Sequence, residues 1–171
     1  MVRPVRVRDA IADDIPAISG LYNALIATTT VAWTEDLEPI EAREAWFAEQ
    51  AAAGNPVLVA EVNGLVVGFA SYDDFRDSTK WPGYRFTVEH TIHVAQTHAG
   101  SGLGRALLEA LINRAVQRGK HAMVGAIDSE NTGSIAFHAR LGFVEVARIP
   151  QVGFKFGRWL NLVLVARIVG P

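Results

Sequence analysis

Gly100-Ser101-Gly102-Leu103-Gly104 stands between a strand-like segment, Arg85 to Val94, and an amphipathic segment, Arg105 to Arg118. In the second segment Leu107, Leu108, Leu111, Ile112 and Ala115 recur at helical spacing and form one apolar face. His121 to Ile127 follows as a short apolar run after a helix, the pattern of a buried parallel strand. Strand, glycine loop, helix and parallel strand thus come in order. Such a loop can direct several backbone N–H groups at one anion, with the positive end of the helix behind them. The spacing Gly100-x-Gly102-x-Gly104-Arg105 lacks the Gly-Lys-Ser/Thr of a nucleoside-triphosphate loop and misses the G-x-G-x-x-G dinucleotide pattern at every register. Taken alone it reads either as a pyrophosphate cradle or as a turn without a ligand.

Outward from this unit, the rest of the chain alternates strands and helices. Val5 and Val7 alternate with polar neighbours as in a strand, and Asp13-Asp14-Ile15-Pro16 starts a helix expected to reach about Ile26. Thr28 to Trp33 resists a further turn and reads as a loop. A second helix is expected over Ile40 to Ala53, stopped by Gly54. Pro56 to Val62 and Leu65 to Tyr72 flank Asn63-Gly64, a hairpin signal. Asp73 to Tyr84 is irregular. Asn131 to Leu141 reads as a helix stopped by Gly142, and strands are expected around Phe143 to Arg148 and Leu160 to Ile168. There is no repeat or linker, so residues 1–171 are expected to form a single α/β (α+β) domain.

Bulk properties narrow the function. The 171 residues are 50% hydrophobic and 20% charged, a globular mixture. Sixteen basic and eighteen acidic side chains give a net charge of -2, so no global positive field gathers nucleic acid or an anionic membrane. The absence of cysteine excludes disulfides, thiolate metal sites and a cysteine nucleophile, and fits a reducing compartment. The start, Met1 to Asp9, interleaves charges with valines instead of forming a signal-peptide core, and the apolar tail Trp159 to Val169 is broken by Asn161 and Arg167. The expected location is the cytoplasm.

One resemblance is specific. Gly102-Leu103-Gly104 before an amphipathic helix, followed by Asn131 and Ser134-Ile135-Ala136-Phe137-His138-Ala139-Arg140-Leu141-Gly142-Phe143, resembles the acetyl-CoA-binding half of the GNAT acetyltransferases. Within that superfamily the chain most resembles the phosphinothricin and methionine sulfoximine acetyltransferases. The supporting motifs are Tyr22-Asn23 with Thr30 and Trp33, Trp46-Phe47, Phe75-Arg76, Thr87-Val88-Glu89-His90, and Pro150 to Trp159. The resemblance implies a central mixed, mostly antiparallel sheet with a splayed parallel pair, flanked by helices. It also implies acetyl-CoA as cosubstrate, a small-molecule amine as acceptor, and a homodimer, for which the segments around Trp46 and Trp159 are candidate interfaces.

The resemblance places pyrophosphate on Gly100, Ser101, Gly102, Leu103, Gly104 and Arg105, and the pantetheine arm along Ile92, His93 and Val94 as an added strand. Ala99 stands where the family usually has glutamine or arginine, which removes one side-chain contact to the phosphates. Asn131 and Ser134 join the cofactor set, Asn131 either binding pantetheine or capping the helix. Acetyl transfer needs a neutral amine, yet an amino group with a pKa of roughly 8 is mostly protonated at neutral pH. Glu89 matches the family's base. Its reference pKa of about 4.3 makes it weak, so burial beside Trp33 or Phe86 must raise it, or a water must relay the proton. The backbone N–H near Val94 matches the family's donor to the developing oxyanion. His138 occupies the position of the family's acid for the departing thiolate, or is an orienting donor.

For the acceptor, Arg76 and Arg85 are candidates to grip an acidic group, and Trp33, Tyr72, Phe75 and Thr87 are candidates to line its pocket; for the aromatics, core packing is the alternative. His90, His93 and His98 beside Glu89 raise the question of a metal, but residues three apart on a strand face opposite sides, so no metal site is expected. Three readings remain open: acetylation of the α-amine of a small acid, acetylation of a protein N-terminus, lysine or polyamine, and a CoA-binding module without catalysis.

Overall fold

The computed structural model describes residues 5–171. The part of the N-terminal reading that falls on residues 1–4 lies outside the described residues. Seven strands form one sheet in the order β1-β2-β3-β4-β5-β7-β6, where β1 is Val5–Asp9, β2 Val57–Val62, β3 Leu65–Asp74, β4 Thr87–Val94, β5 Ala122–Asp128, β6 Val144–Lys155 and β7 Arg158–Ile168. Every neighbouring pair is antiparallel except β4 and β5. Helices α1 (Ile15–Thr28) and α2 (Ile40–Ala53) precede β2, α3 (Leu103–Gln117) joins β4 to β5, and α4 (Thr132–Arg140) joins β5 to β6. Among the described residues no helix is long and apolar enough to cross a membrane.

Two apolar clusters fix this arrangement. The larger gathers Leu103, Leu107, Leu108 and Leu111 of α3 with Leu58, Ala70, Val88, Met123 and Val163 of the sheet. The smaller gathers Ile15 and Ile18 of α1 with Val57, Val59 and Phe69. Burying one such side chain stabilises the fold by about 1.5–3 kcal/mol, so the expected leucine face of α3 carries much of the core. Trp46 packs into the smaller cluster against Phe69, at a centroid separation of 6.5 Å, and Arg43 stacks over it, so the ring is already partly covered within the protomer. Trp159 is 61% exposed.

Local chemistry explains where expectation and structure agree. Gly54 ends α2 in the left-handed conformation (φ 71°), and Asn63 and Gly64 turn the β2–β3 hairpin at φ 54° and 79°. Among the boundaries that differ, these have a clear physical reason or bear on the site. The expected strand from Arg85 begins only at Thr87, because a 3-10 turn over Pro82–Tyr84 carries helical backbone into Arg85. Helix α3 begins at Leu103, two residues earlier than expected. Strand β6 runs to Lys155 instead of about Arg148, because its register shifts between Ile149 and Gly153 where Gln151 takes φ 54°.

Candidate active site

The parallel strands part soon after they meet. β4 and β5 pair only at Thr87 with Ala122, Val88 with Met123 and Glu89 with Val124, while β4 stays on β3 to Val94 and β5 stays on β7 to Asp128. His90 sits where they diverge. Its ring accompanies Gly125, where an added Cβ would lie 2.8 Å from His90 Cε1, and its Nδ1 lies 2.8 Å from the Val124 carbonyl. The carbonyl accepts, so Nδ1 carries the proton. Gly125→Ala is therefore expected to displace this ring and to destabilise the fold by about 1–3 kcal/mol, read as a lower urea midpoint; an unchanged midpoint would contradict the tight fit.

The splay leaves a free backbone edge. Phe75 N–H donates to the Thr87 carbonyl and Ala95 N–H to the Val67 carbonyl, so odd-numbered residues of β4 direct their backbone groups at β3. The N–H and C=O groups of Ile92 and Val94 consequently face the gap, whereas those of His93 are used by β3. This edge suits a ligand arm that adds as a strand, through Ile92 and Val94.

Beyond β4 the loop turns through Gly100 (φ 73°) and Gly102 (φ 86°), conformations that favour glycine. α3 starts without a side-chain cap, so its first-turn amides are available to an anion. Gly104 faces α4, where a Cβ would touch the Phe137 ring at 3.4 Å. A cavity of about 600 Å³ opens here, lined by Ile92, Val94, His98 to Gly102, Gly104, Arg105, Ser134 and His138 among others. These features fit a pyrophosphate and its attached arm. Arg105 is exposed and paired with Glu109 at 2.8 Å.

A second cavity of about 210 Å³ lies on the other side of Ser134 and His138, lined by Tyr22, Val31, Ala32, Glu89, His93, Asp128 and Asn131 among others. Glu89 is half-buried, and none of the ion pairs among the described residues includes it. Burial raises its pKa, and Asp73, opposite it on β3, adds to the rise. Phe86 is 46% exposed and Trp33 lies against Gly153, so the expected burial comes from the cavity walls instead.

Asn131 caps α4, its Oδ1 accepting from Ser134 N–H at 3.1 Å. His138 is buried, with Nε2 2.9 Å from His90 Nε2 and Nδ1 2.7 Å from the Ser134 carbonyl. Burial pulls His138 below the usual histidine range, His90 down to about 3 and His93 down to about 4, assisted at His90 by His138 and at His93 by Arg43. Burial thus disfavours the charged form of each of these imidazoles. Asp128, which sequence reasoning missed, enters the cavity from the end of β5 and accepts a hydrogen bond from Thr30. Only the topology brings it there.

The acceptor candidates are more dispersed, and none of the six lines the Glu89 cavity. Tyr72 is fully buried in the larger core, so it packs there instead of walling a pocket. Thr87 is half-buried at the start of β4. Arg76 is exposed beside the Phe75 and Tyr84 rings, and Arg85 lies over Phe86 at 4.3 Å. His90 faces His138 and Phe143, and His93 faces Tyr22 and Phe69, on opposite sides of the sheet. Among the described residues no group of three His, Cys, Asp or Glu is placed to hold a metal ion.

Comparison with known proteins places this geometry. The Acetyltransferase (GNAT) family matches residues 18–143. The L-methionine sulfoximine/L-methionine sulfone acetyltransferase of Pseudomonas aeruginosa is 45% identical over 166 residues, covering 96% of this chain and 95% of that protein. The L-amino acid N-acyltransferase MnaT of Escherichia coli is 45% identical over 159 residues, covering 93% of this chain and 91% of that protein. The structure of yncA from Salmonella typhimurium with its cofactor acetyl-CoA superposes with a TM-score of 0.92 at 42% identity, covering 96% of this chain and 94% of that one.

Proposed function

The chain belongs to the GNAT family of acetyltransferases and is an N-acetyltransferase; from that premise we propose that it moves the acetyl group of acetyl-CoA directly to the α-amino group of a small amino-acid analogue of the methionine sulfoximine, methionine sulfone or phosphinothricin type. One observation carries the reading. A carboxyl with a raised pKa heads a small cavity that meets the glycine-loop cavity at Ser134 and His138. The relatives named for amino acids and their sulfoximine and sulfone analogues, similar over nearly the whole chain, support the acceptor class.

Acetyl-CoA supplies the acetyl group as a thioester. Gly100 to Arg105 hold its pyrophosphate with loop and first-turn amides, and Ile92 and the Val94 carbonyl pair with its pantetheine arm, with Asn131 and Ser134 at the head of α4 beside it. Glu89 takes the amine proton, directly or through a water, and its raised pKa makes it a better base than a free carboxylate. Val94 N–H, which faces the gap, donates to the acetyl oxygen as negative charge develops there. His138 serves the departing thiolate as proton source or as the group that orients its neighbours. Arg76, Arg85, Phe75, Trp33 and Thr87 lie outside the Glu89 cavity, so they meet the acceptor only where its acid group extends beyond that cavity. Among the described residues neither arginine has a carboxylate partner.

The enzyme works in the cytoplasm as a homodimer. The exposed apolar residues Val144, Val146, Val152, Phe154, Phe156 and Trp159 of the β6–β7 arm support such an interface. Phe154→Glu is expected to yield a monomer in sedimentation velocity, and an unchanged sedimentation coefficient would exclude this face. The function itself is tested by free-thiol release from acetyl-CoA with methionine sulfoximine, methionine sulfone, phosphinothricin, a polyamine and an N-terminal peptide. Turnover confined to the amino-acid analogues supports the proposal; turnover confined to the peptide or polyamine refutes it.

A further inference from the structure

Lys155 is the one lysine among the described residues that is fully buried, and it has no carboxylate beside it within ion-pair distance. Its Nζ donates to three backbone carbonyls: Ile26 at 2.7 Å, Thr29 at 2.6 Å and Ala32 at 2.8 Å. All three ammonium protons are thereby used. The first acceptor lies in the last turn of α1, where the helix dipole favours a cation, and the other two lie in the loop that follows. An ammonium taken out of water is costly unless its hydrogen bonds are replaced, and burial pulls the Lys155 pKa down accordingly. An expensive group of this kind holding irregular backbone needs a reason.

The backbone it holds forms part of the acceptor cavity. Val31 and Ala32 line the Glu89 cavity, and Thr30, between the clamped carbonyls of Thr29 and Ala32, donates to Asp128 on the far wall. Two neighbours of Lys155 on the same hairpin grip the same segment. Gly153 leaves room for the Trp33 indole, which occupies the space a Cβ would need, and Phe156 N–H donates to Glu35 Oε1 at 2.8 Å. Residues 29–35 are therefore fixed by the β6–β7 hairpin, a part of the chain more than 115 residues away, as the bond from Phe156 to Glu35 spans 121 positions.

We propose that Lys155 is a positioning residue for the acceptor: by tying the end of α1 to the carbonyls of Thr29 and Ala32, it sets the position of Val31 and Ala32 over Glu89 and so governs acceptor binding without touching the substrate. The glycine loop lies beyond Ser134 and His138, and none of the residues Lys155 holds lines its cavity; the clamped residues 28–31 do share a further cavity with Ile92, Val94 and Ser134, so the clamp acts first on the acceptor and more weakly on the pantetheine edge. The inference rests on the acceptor site proposed above, with Glu89 at its head.

The test is Lys155→Met, similar in length but without donors, assayed by steady-state kinetics with each substrate varied and by hydrogen exchange of the amides of residues 28–33. Acceptor KM is expected to rise roughly tenfold or more, and KM for acetyl-CoA by much less. Exchange in 28–33 is expected to accelerate while α3 keeps its protection. An unchanged acceptor KM, or an equal rise in both KM values, overturns the proposal. Should Lys155→Met fail to fold, Lys155→Gln applies the same test, since its amide is shorter and offers two N–H donors where the ammonium satisfies three carbonyls. The underlying acceptor reading fails separately: it falls if the wild-type protein does not turn over amino-acid analogues, whereas the exchange result judges the clamp with no acceptor present.

Discussion

Glu89→Gln is expected to lower kcat/KM for the acceptor by about 10² to 10⁴-fold and to leave KM for acetyl-CoA close to wild type in steady-state assays. Glutamine keeps the shape and one hydrogen-bond acceptor but cannot take a proton. In the wild type, kcat/KM rises with pH as Glu89 ionises, at a pKa above the ordinary glutamate range because of burial and Asp73. The variant loses this lower limb of the pH profile. Stability moves the other way. A carboxyl whose folded pKa is raised contributes stability that is complete below its unfolded pKa and is lost as pH rises through the folded value. Glutamine escapes that loss, so the variant's Tm at neutral pH equals or exceeds that of the wild type. Fast turnover by Glu89→Gln with an unchanged pH profile would remove Glu89 from the chemistry.

Val94→Pro is the second large effect. Val94 N–H faces the opened gap, so proline removes no bond of the β3–β4 ladder, and an unpaired strand edge is where proline is tolerated. If that N–H stabilises charge on the acetyl oxygen, kcat falls by about 10² to 10³-fold, while circular dichroism shows the sheet retained. A parallel His93→Pro variant unfolds the edge, because His93 N–H belongs to β3. Near-normal kcat in folded Val94→Pro would assign the oxyanion to another donor.

Much of the fold was legible because it is written in local chemistry. Pro16 at the start of α1, Gly54 after α2 and Asn63-Gly64 in the hairpin each dictate backbone conformation within a few residues. The leucine face of α3 and the apolar run of β5 reveal the parallel unit, and the motifs around Glu89 and Gly102 point to the candidate site. The rest depends on long-range partners. Nothing near Gln151 signals a register shift that lets β6 continue to Lys155. Lysine is ordinarily a surface residue, so the burial of Lys155 was hidden until α1 and its loop were placed over it. Asp128 and His90 became site residues only once β4 and β5 were seen to part between them, and Tyr72 reads as a pocket aromatic until α3 covers it.

The most direct test of acetyl transfer to a small amino acid is mass analysis of purified protein incubated with acetyl-CoA and methionine sulfoximine, with free thiol measured in parallel. The account predicts N-acetyl methionine sulfoximine, acetylated on the α-nitrogen, in one-to-one proportion with released CoA thiol. Thiol released without the acetylated analogue, or no release beyond the rate with acetyl-CoA alone, would contradict it.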